Sequence, residues 1–334
     1  MHGLIRKWKG LLKCIGPIFF IYLLIEVVDP KASANILKGI RPEVALISVL
    51  LFPVLISALT TRWWLICQWL EMEIPFKQLF QIYYISLFLG LMPVIGVSQM
   101  SKFVYLKAEE KSGGTIAASI IFDKVFDAMG HLLFGLFALF YFPKIFFQDE
   151  YLWLFIVIIL LGVVAILIYW KPLWEKLTGF LKNFTNKRIQ KIGESLEIDL
   201  SKSWSGYNLR FFMFIFGTSI VIGILRALVL FLLALALNIN LSFVFVIACR
   251  ALIGIVSVIP ITINGLGTRD AILLLTLPLA NYSKEAAIAL SILTFLWLLC
   301  FKFSGIVFWL KRPLPSISSP KKQTDAATIY KSPK

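Results

Sequence analysis

The sequence predicts an all-α protein built for a lipid bilayer. It reads as a polytopic helical bundle of six spanning helices plus two re-entrant or broken hairpins, arranged as an inverted repeat. Three observations predict this. The 334 residues are 59% hydrophobic and only 15% charged, whereas soluble domains are about 45–50% apolar. The apolar residues cluster in stretches of about 20, the length that crosses a bilayer as a helix. The basic residues gather between those stretches, where they set orientation.

The uninterrupted stretches are 11–28, 44–70, 115–142, 151–170, 211–237 and 285–310. Two further stretches are broken: 76–101 by Gly90, Pro93 and Gly96, and 241–279 by Pro260, Gly265 and Gly267. Arg6, Lys7 and Lys9 precede the first stretch, so the N-terminus is expected in the cytoplasm. Ala32-Ser33-Ala34 resembles a signal-peptidase site, but the first stretch reads better as a retained transmembrane helix, with cleavage left open. Lys311, Arg312, Lys321, Lys322, Lys331 and Lys334 place the C-terminus in the cytoplasm as well. The 171–210 loop carries Lys176, Lys182, Lys187, Arg188 and Lys191 mixed with Trp174, Leu177, Phe180 and Leu181, as expected of an amphipathic helix on the cytoplasmic leaflet.

Following the chain between these fixed ends, 76–101 must start and finish on the cytoplasmic side. Its roughly 26 residues cannot cross twice, which takes about 40, so a hairpin turning near Pro93 and Gly96 is expected. By the mirror argument 241–279 starts and finishes outside, turning near Pro260, Gly265 and Gly267, either as a second re-entrant hairpin or as a deeper pair of crossings. The two halves, about 44–142 and 211–310, share further features. Pro93 lies nine residues before Lys102 and Pro260 nine before Arg269. Ala117-Ala118 and Ala286-Ala287 head the long helices that follow, and these carry Gly135 and Gly305. The membrane domain is thus expected to span 1–312, with a disordered cytoplasmic tail at 313–334.

The net charge of +15 would suggest nucleic acid in a soluble protein. Here it lies between apolar stretches and points to anionic lipid headgroups, with no nucleic-acid partner expected. Cys14, Cys67, Cys249 and Cys300 have no metal-ligand spacing, and His2 and His131 are the only histidines, so no metal or other cofactor is expected. A phosphate-cradling G-x-x-x-x-G-K-[ST] loop, H-E-x-x-H and G-x-S-x-G are all absent.

Candidate binding residues are the charges inside the apolar stretches. Irregular backbone at membrane depth is tolerated only beside protein or water, so Pro93, Gly96, Pro260, Gly265 and Gly267 suggest a cavity. Lys102 and Arg269 follow those turns and could hold a phosphate, with Asp270 beside the arginine. Asp123, Asp127 and His131 recur every four residues as one polar stripe, with Lys124 adjacent. They could partner Lys102, Arg269 or a substrate, or serve as a structural ion-pair network. Arg226 and Arg250 lie deep enough for headgroup binding. Arg62 and Lys302 are expected to snorkel to an interface, and Trp63-Trp64 to sit in the interfacial belt.

Read together, these blocks resemble the transmembrane region of the lysylphosphatidylglycerol synthase/flippase family. The first is the run from Pro93 through Gly96 to Lys102. The second is Asp123-Lys124-Val125-Phe126-Asp127, and the third is the run from Pro260 through Gly265 and Gly267 to Arg269-Asp270. Thr61-Arg62-Trp63 also fits, and the resemblance covers about 10–312. Gln99 stands where the family has an acidic residue, and Asp123-Lys124 replaces Glu-Arg. The resemblance implies a multi-pass protein of the cell (inner) membrane that binds and translocates an anionic phospholipid or lipid-linked substrate, with a protein partner left open. The family's aminoacyl-transferring domain is expected to be missing, so an enzyme is not favoured. A lipid-linked transferase using Asp123 and Asp127, or a non-catalytic subunit of a lipid or glycan pathway, remain as alternatives.

Overall fold

The computed structural model describes residues 29–92, 96–109, 112–142, 179, 209–258 and 267–313. Within them the chain is helical: α1 (Pro30–Lys38), α2 (Pro42–Trp69), α3 (Phe76–Leu89), α4 (Val97–Lys107), α5 (Gly113–Tyr141), α6 (Leu209–Ala236), α7 (Phe243–Val258), α8 (Thr268–Thr276), α9 (Lys284–Phe303) and α10 (Ile306–Lys311), with a short 3₁₀ turn at Leu277–Ala280. The expected spans 11–28 and 151–170, the amphipathic connector, the tail, Pro93, Pro260 and Gly265 lie outside the described residues.

Three helices are long and apolar enough to cross a bilayer among the described residues: Pro42–Trp69, Arg210–Ala236 and Lys284–Lys311. α5 is as long, at 29 residues, or about 43 Å at 1.5 Å per residue. It differs by holding Asp123, Lys124 and Asp127 near its middle. Outward faces are apolar: Leu46, Leu50 and Val54 on α2 and Met213, Phe214 and Val221 on α6 are exposed. Such faces suit hydrocarbon as their solvent, and the molecule is a helical membrane bundle.

Both broken stretches fold as two short helices packed against each other, α3 with α4 and α7 with α8. α3 has 14 residues and α4 has 11, about 21 and 17 Å, each shorter than a hydrocarbon core of about 30 Å. The turn glycines have the left-handed backbone that side chains resist: Gly96 at φ 83° and Gly267 at φ 88°.

The helices of the two halves start in step. α2 and α6 begin at Pro42 and Leu209, α3 and α7 at Phe76 and Phe243, each pair 167 residues apart. Beyond the hairpin turns the interval is 171: α4 and α8 begin at Val97 and Thr268, α5 and α9 at Gly113 and Lys284. The second hairpin is therefore four residues longer. This revises one expectation. Lys102 and Arg269 are equally far from their prolines, but Lys102 lies six residues past Gly96 and Arg269 only two past Gly267. The two cations sit on different turns of their helices and are not structural equivalents.

Packing between the halves is reciprocal. Gly135 on α5 lies against Ile255 on α7, and Gly305, between α9 and α10, lies against the main chain of Tyr84 on α3. Each long helix thus packs on the first half-helix of the other half's hairpin, while α2 and α6 pack on one another. Lipid supplies little hydrophobic drive for helix association, so close approach at small residues carries much of it.

α1 was not expected as a helix. Asp29 caps it, accepting from the Lys31 N–H at 2.8 Å, and Pro30 stands at its first turn. Ala32-Ser33-Ala34 lies inside this helix, with Ser33 buried, and α1 packs on α9.

Candidate functional site

The polar stripe of α5 meets α2, α4 and α6 at a buried ion-pair network. Arg62 on α2 donates from Nε to Asp123 Oδ1 at 2.9 Å and from Nη1 to Asp127 Oδ1 at 3.0 Å. Lys102 on α4 donates to Asp123 Oδ2 at 3.2 Å. Arg226 on α6 reaches Asp127 Oδ1 at 3.1 Å, and its Nη1 lies 3.2 Å from His131 Nε2. Helical spacing sets this up, because Asp123, Asp127 and His131 project from one face at successive turns.

Lys102 has a second kind of partner. Its ammonium lies 3.6 Å from the centre of the Tyr83 ring and 4.4 Å from that of Trp63, an arrangement that favours a desolvated cation. Trp63 is held by its own indole N–H, which donates to Ser119 Oγ at 3.3 Å.

Two expectations are corrected here. Arg62 does not snorkel: it is 1% exposed and bridges both aspartates. Trp63 is not a belt residue, being fully buried, whereas Trp64 is partly exposed and packs edge-on against Phe76. An arginine paid for by two carboxylates is stable inside, while an unpaired one costs about 2.5–3.5 kcal/mol at bilayer depth.

Beside the network lies a cavity of about 620 Å³. Lys124, Asp127, Arg226, Arg250, Arg269 and Lys302 line it together with His131. Its remaining wall includes Leu55, Leu59, Leu87, Val229, Leu230 and Phe301. Lys302, expected to snorkel, instead faces this cavity. Arg250 Nη1 is buried without a hydrogen-bond partner. Arg269 is fixed from behind: its Nε donates to Ser291 Oγ at 2.8 Å, and Nη2 lies 3.5 Å from Asp270 Oδ1. Ser291 also donates to Asp270, and Asp270 in turn accepts from the Gly267 N–H at the start of α8. The hairpin turn, the arginine and α9 are thereby tied together.

Of the residues singled out from sequence, Lys124, Asp127, Arg226, Arg250 and Arg269 therefore share one cavity. Lys102, Asp123 and Asp270 are buried behind its wall as ion-pair partners. Of the turn residues, Gly267 is buried at the head of α8 and Gly96 heads α4. Among the described residues no His/Cys/Asp/Glu cluster is arranged to hold a metal ion.

Bundle and site together define a class: a helical membrane protein that encloses a basic, half-apolar cavity among its helices. The chain belongs to the family described as the lysylphosphatidylglycerol synthase TM region, whose pattern it matches over residues 10–302. It is also similar to a UPF0104 membrane protein of Methanocaldococcus jannaschii, with 25% identity over 310 residues that cover 86% of this chain and 90% of the relative.

Proposed function

We propose that the chain binds an anionic phospholipid or lipid-linked substrate in this cavity and carries it across the bilayer. The observation that carries the proposal is the cavity's composition. Among the described residues, five cationic side chains and one carboxylate line it beside an apolar wall, a match for a charged headgroup on a hydrocarbon tail. Arg226, Arg250 and Arg269 contact the headgroup, with Lys124 at its edge. Lys102, Asp123 and Asp270 act behind the wall, holding α4, α5 and α8 in place.

Transport follows if the halves 44–142 and 211–310 are inverted repeats that rock about the α2–α6 contact and expose the cavity to each leaflet in turn. In this scheme both termini and an amphipathic 171–210 connector are cytoplasmic, the 313–334 tail is disordered, and the protein resides in the cell membrane. Transferase chemistry is less well supported, because Asp123 and Asp127 are each held by two cations and are poorly placed to act as general acid or base.

The test is purified full-length protein in liposomes containing tail-labelled fluorescent phosphatidylglycerol, with outer-leaflet label quenched by dithionite. Protein-dependent loss of the protected half of the signal is expected, slowed in Arg269→Ala and Arg250→Gln. Protection identical to empty liposomes, both for this lipid and for a tail-labelled polyprenyl diphosphate, would sink the proposal.

A further inference from the structure

The charge balance of the cavity says more about its occupant. Lys124, Arg226, Arg250, Arg269 and Lys302 come from five different helices and face one space. Among the described residues the only carboxylate lining it is Asp127, which Arg62 and Arg226 already share. Behind the wall, Asp270 sits beside Arg269, and Asp123 is shared by Arg62 and Lys102. Counted over these groups among the described residues, seven cations stand against three carboxylates. Setting Lys302 aside still leaves six against three. Arg250, on the cavity wall, adds a buried Nη1 donor with no acceptor.

We infer that the headgroup this cavity accepts carries two or more negative charges close together, with a diphosphate on a lipid tail as the fitting class. The inference rests on the lipid-binding proposal above. A phosphodiester such as phosphatidylglycerol brings one negative charge and leaves most of the excess uncompensated. A diphosphate monoester brings about three charges and six or so acceptor oxygens, enough to engage cations from several helices at once. Three of the five lining cations are arginines, whose forked donors match adjacent phosphate oxygens. A lysyl-esterified phosphatidylglycerol carries two ammonium groups against one phosphate, and would add to the excess.

Binding to the full-length protein in detergent tests this, using farnesyl diphosphate, farnesyl monophosphate, inorganic pyrophosphate, phosphatidylglycerol and lysylphosphatidylglycerol as probes. Farnesyl diphosphate is expected to bind roughly tenfold or more tightly than the monophosphate, as one further charged contact provides. Pyrophosphate is expected to bind more weakly than farnesyl diphosphate, and lysylphosphatidylglycerol most weakly of all. Arg250→Gln and, independently, the more exposed Lys124→Gln should each shrink the diphosphate preference. Equal affinity for the two farnesyl compounds would overturn the charge assignment and leave the lipid-binding proposal standing. Pyrophosphate binding as tightly as farnesyl diphosphate would overturn the lipid assignment of this ligand. Binding by none of the anionic lipids would overturn both proposals.

Discussion

Gly305 lies so close to the main chain of Tyr84 that a Cβ there would overlap the Tyr84 carbonyl. Backbone cannot swing aside as a side chain can. Gly305→Ala is therefore expected to destabilise the protein by about 1–3 kcal/mol, the usual scale of overpacking. At Gly135 the nearest atoms belong to the flexible end of Ile255, so Gly135→Ala should cost less. Thermal unfolding of both variants in one detergent checks the order, and equal losses would contradict it.

Asp123 is the anion shared by Arg62 and Lys102 at full burial. Asp123→Asn should be severely destabilising, about 3–5 kcal/mol, because it leaves the buried Lys102 without its carboxylate and Arg62 with Asp127 alone. Lys102→Met should cost much less, since Asp123 keeps Arg62. A double-mutant cycle in thermal or denaturant unfolding would measure the coupling. Additive losses would refute the shared-anion arrangement.

Arg226 and Arg250 both line the cavity, but only Arg226 has a carboxylate within 4.0 Å. The two should therefore separate stability from binding. Arg226→Gln should lower both, by leaving Asp127 with one fewer partner. Arg250→Gln should leave stability unchanged or raised by about 1 kcal/mol, through removal of an unsatisfied buried donor, while weakening anionic-lipid binding. Parallel melting and lipid-binding measurements test this, and a strongly destabilised Arg250→Gln would contradict it.

Gly96 starts α4 at φ 83°, and nothing lies within 4 Å of where its Cβ would be. Gly96→Ala should thus suffer from backbone strain alone, about 1–2 kcal/mol, and Gly96→Asn less, because asparagine tolerates this region. Unfolding midpoints that rank alanine above asparagine would show that the turn relaxes.

Much of the fold could be read along the chain, because its signals are local. Among the described residues, the apolar stretches 44–70, 115–142, 211–237 and 285–310 are helical, both broken stretches are interrupted, and helix boundaries such as Phe76 and Gly113 fall within two residues of the expected ones. α1 was legible too, in the Asp29-Pro30 cap, but the adjacent small residues suggested a cleavage site instead. Arg62 was harder. It stands seven residues before the end of α2, about 10 Å of helix, near enough for a long side chain to reach water. Only the neighbouring α5 face makes its burial favourable. Lys302, close to the end of α9, was misjudged for the same reason.

By itself, the sequence determined the solvent of this protein, its helices, the places where they break and the polar residues that cannot face lipid. Those properties follow from composition and from contacts between residues a few positions apart. Tertiary structure alone decided which charges neutralise each other. Lys102 and Arg269 look alike in the sequence, yet Lys102 stands six residues past its turn glycine and pairs with Asp123, while Arg269 stands two past its own and lines the cavity. Pairing of charges depends on the rotation and depth of helices brought together from distant parts of the chain, and a shift of one turn is enough to change a charge's partner.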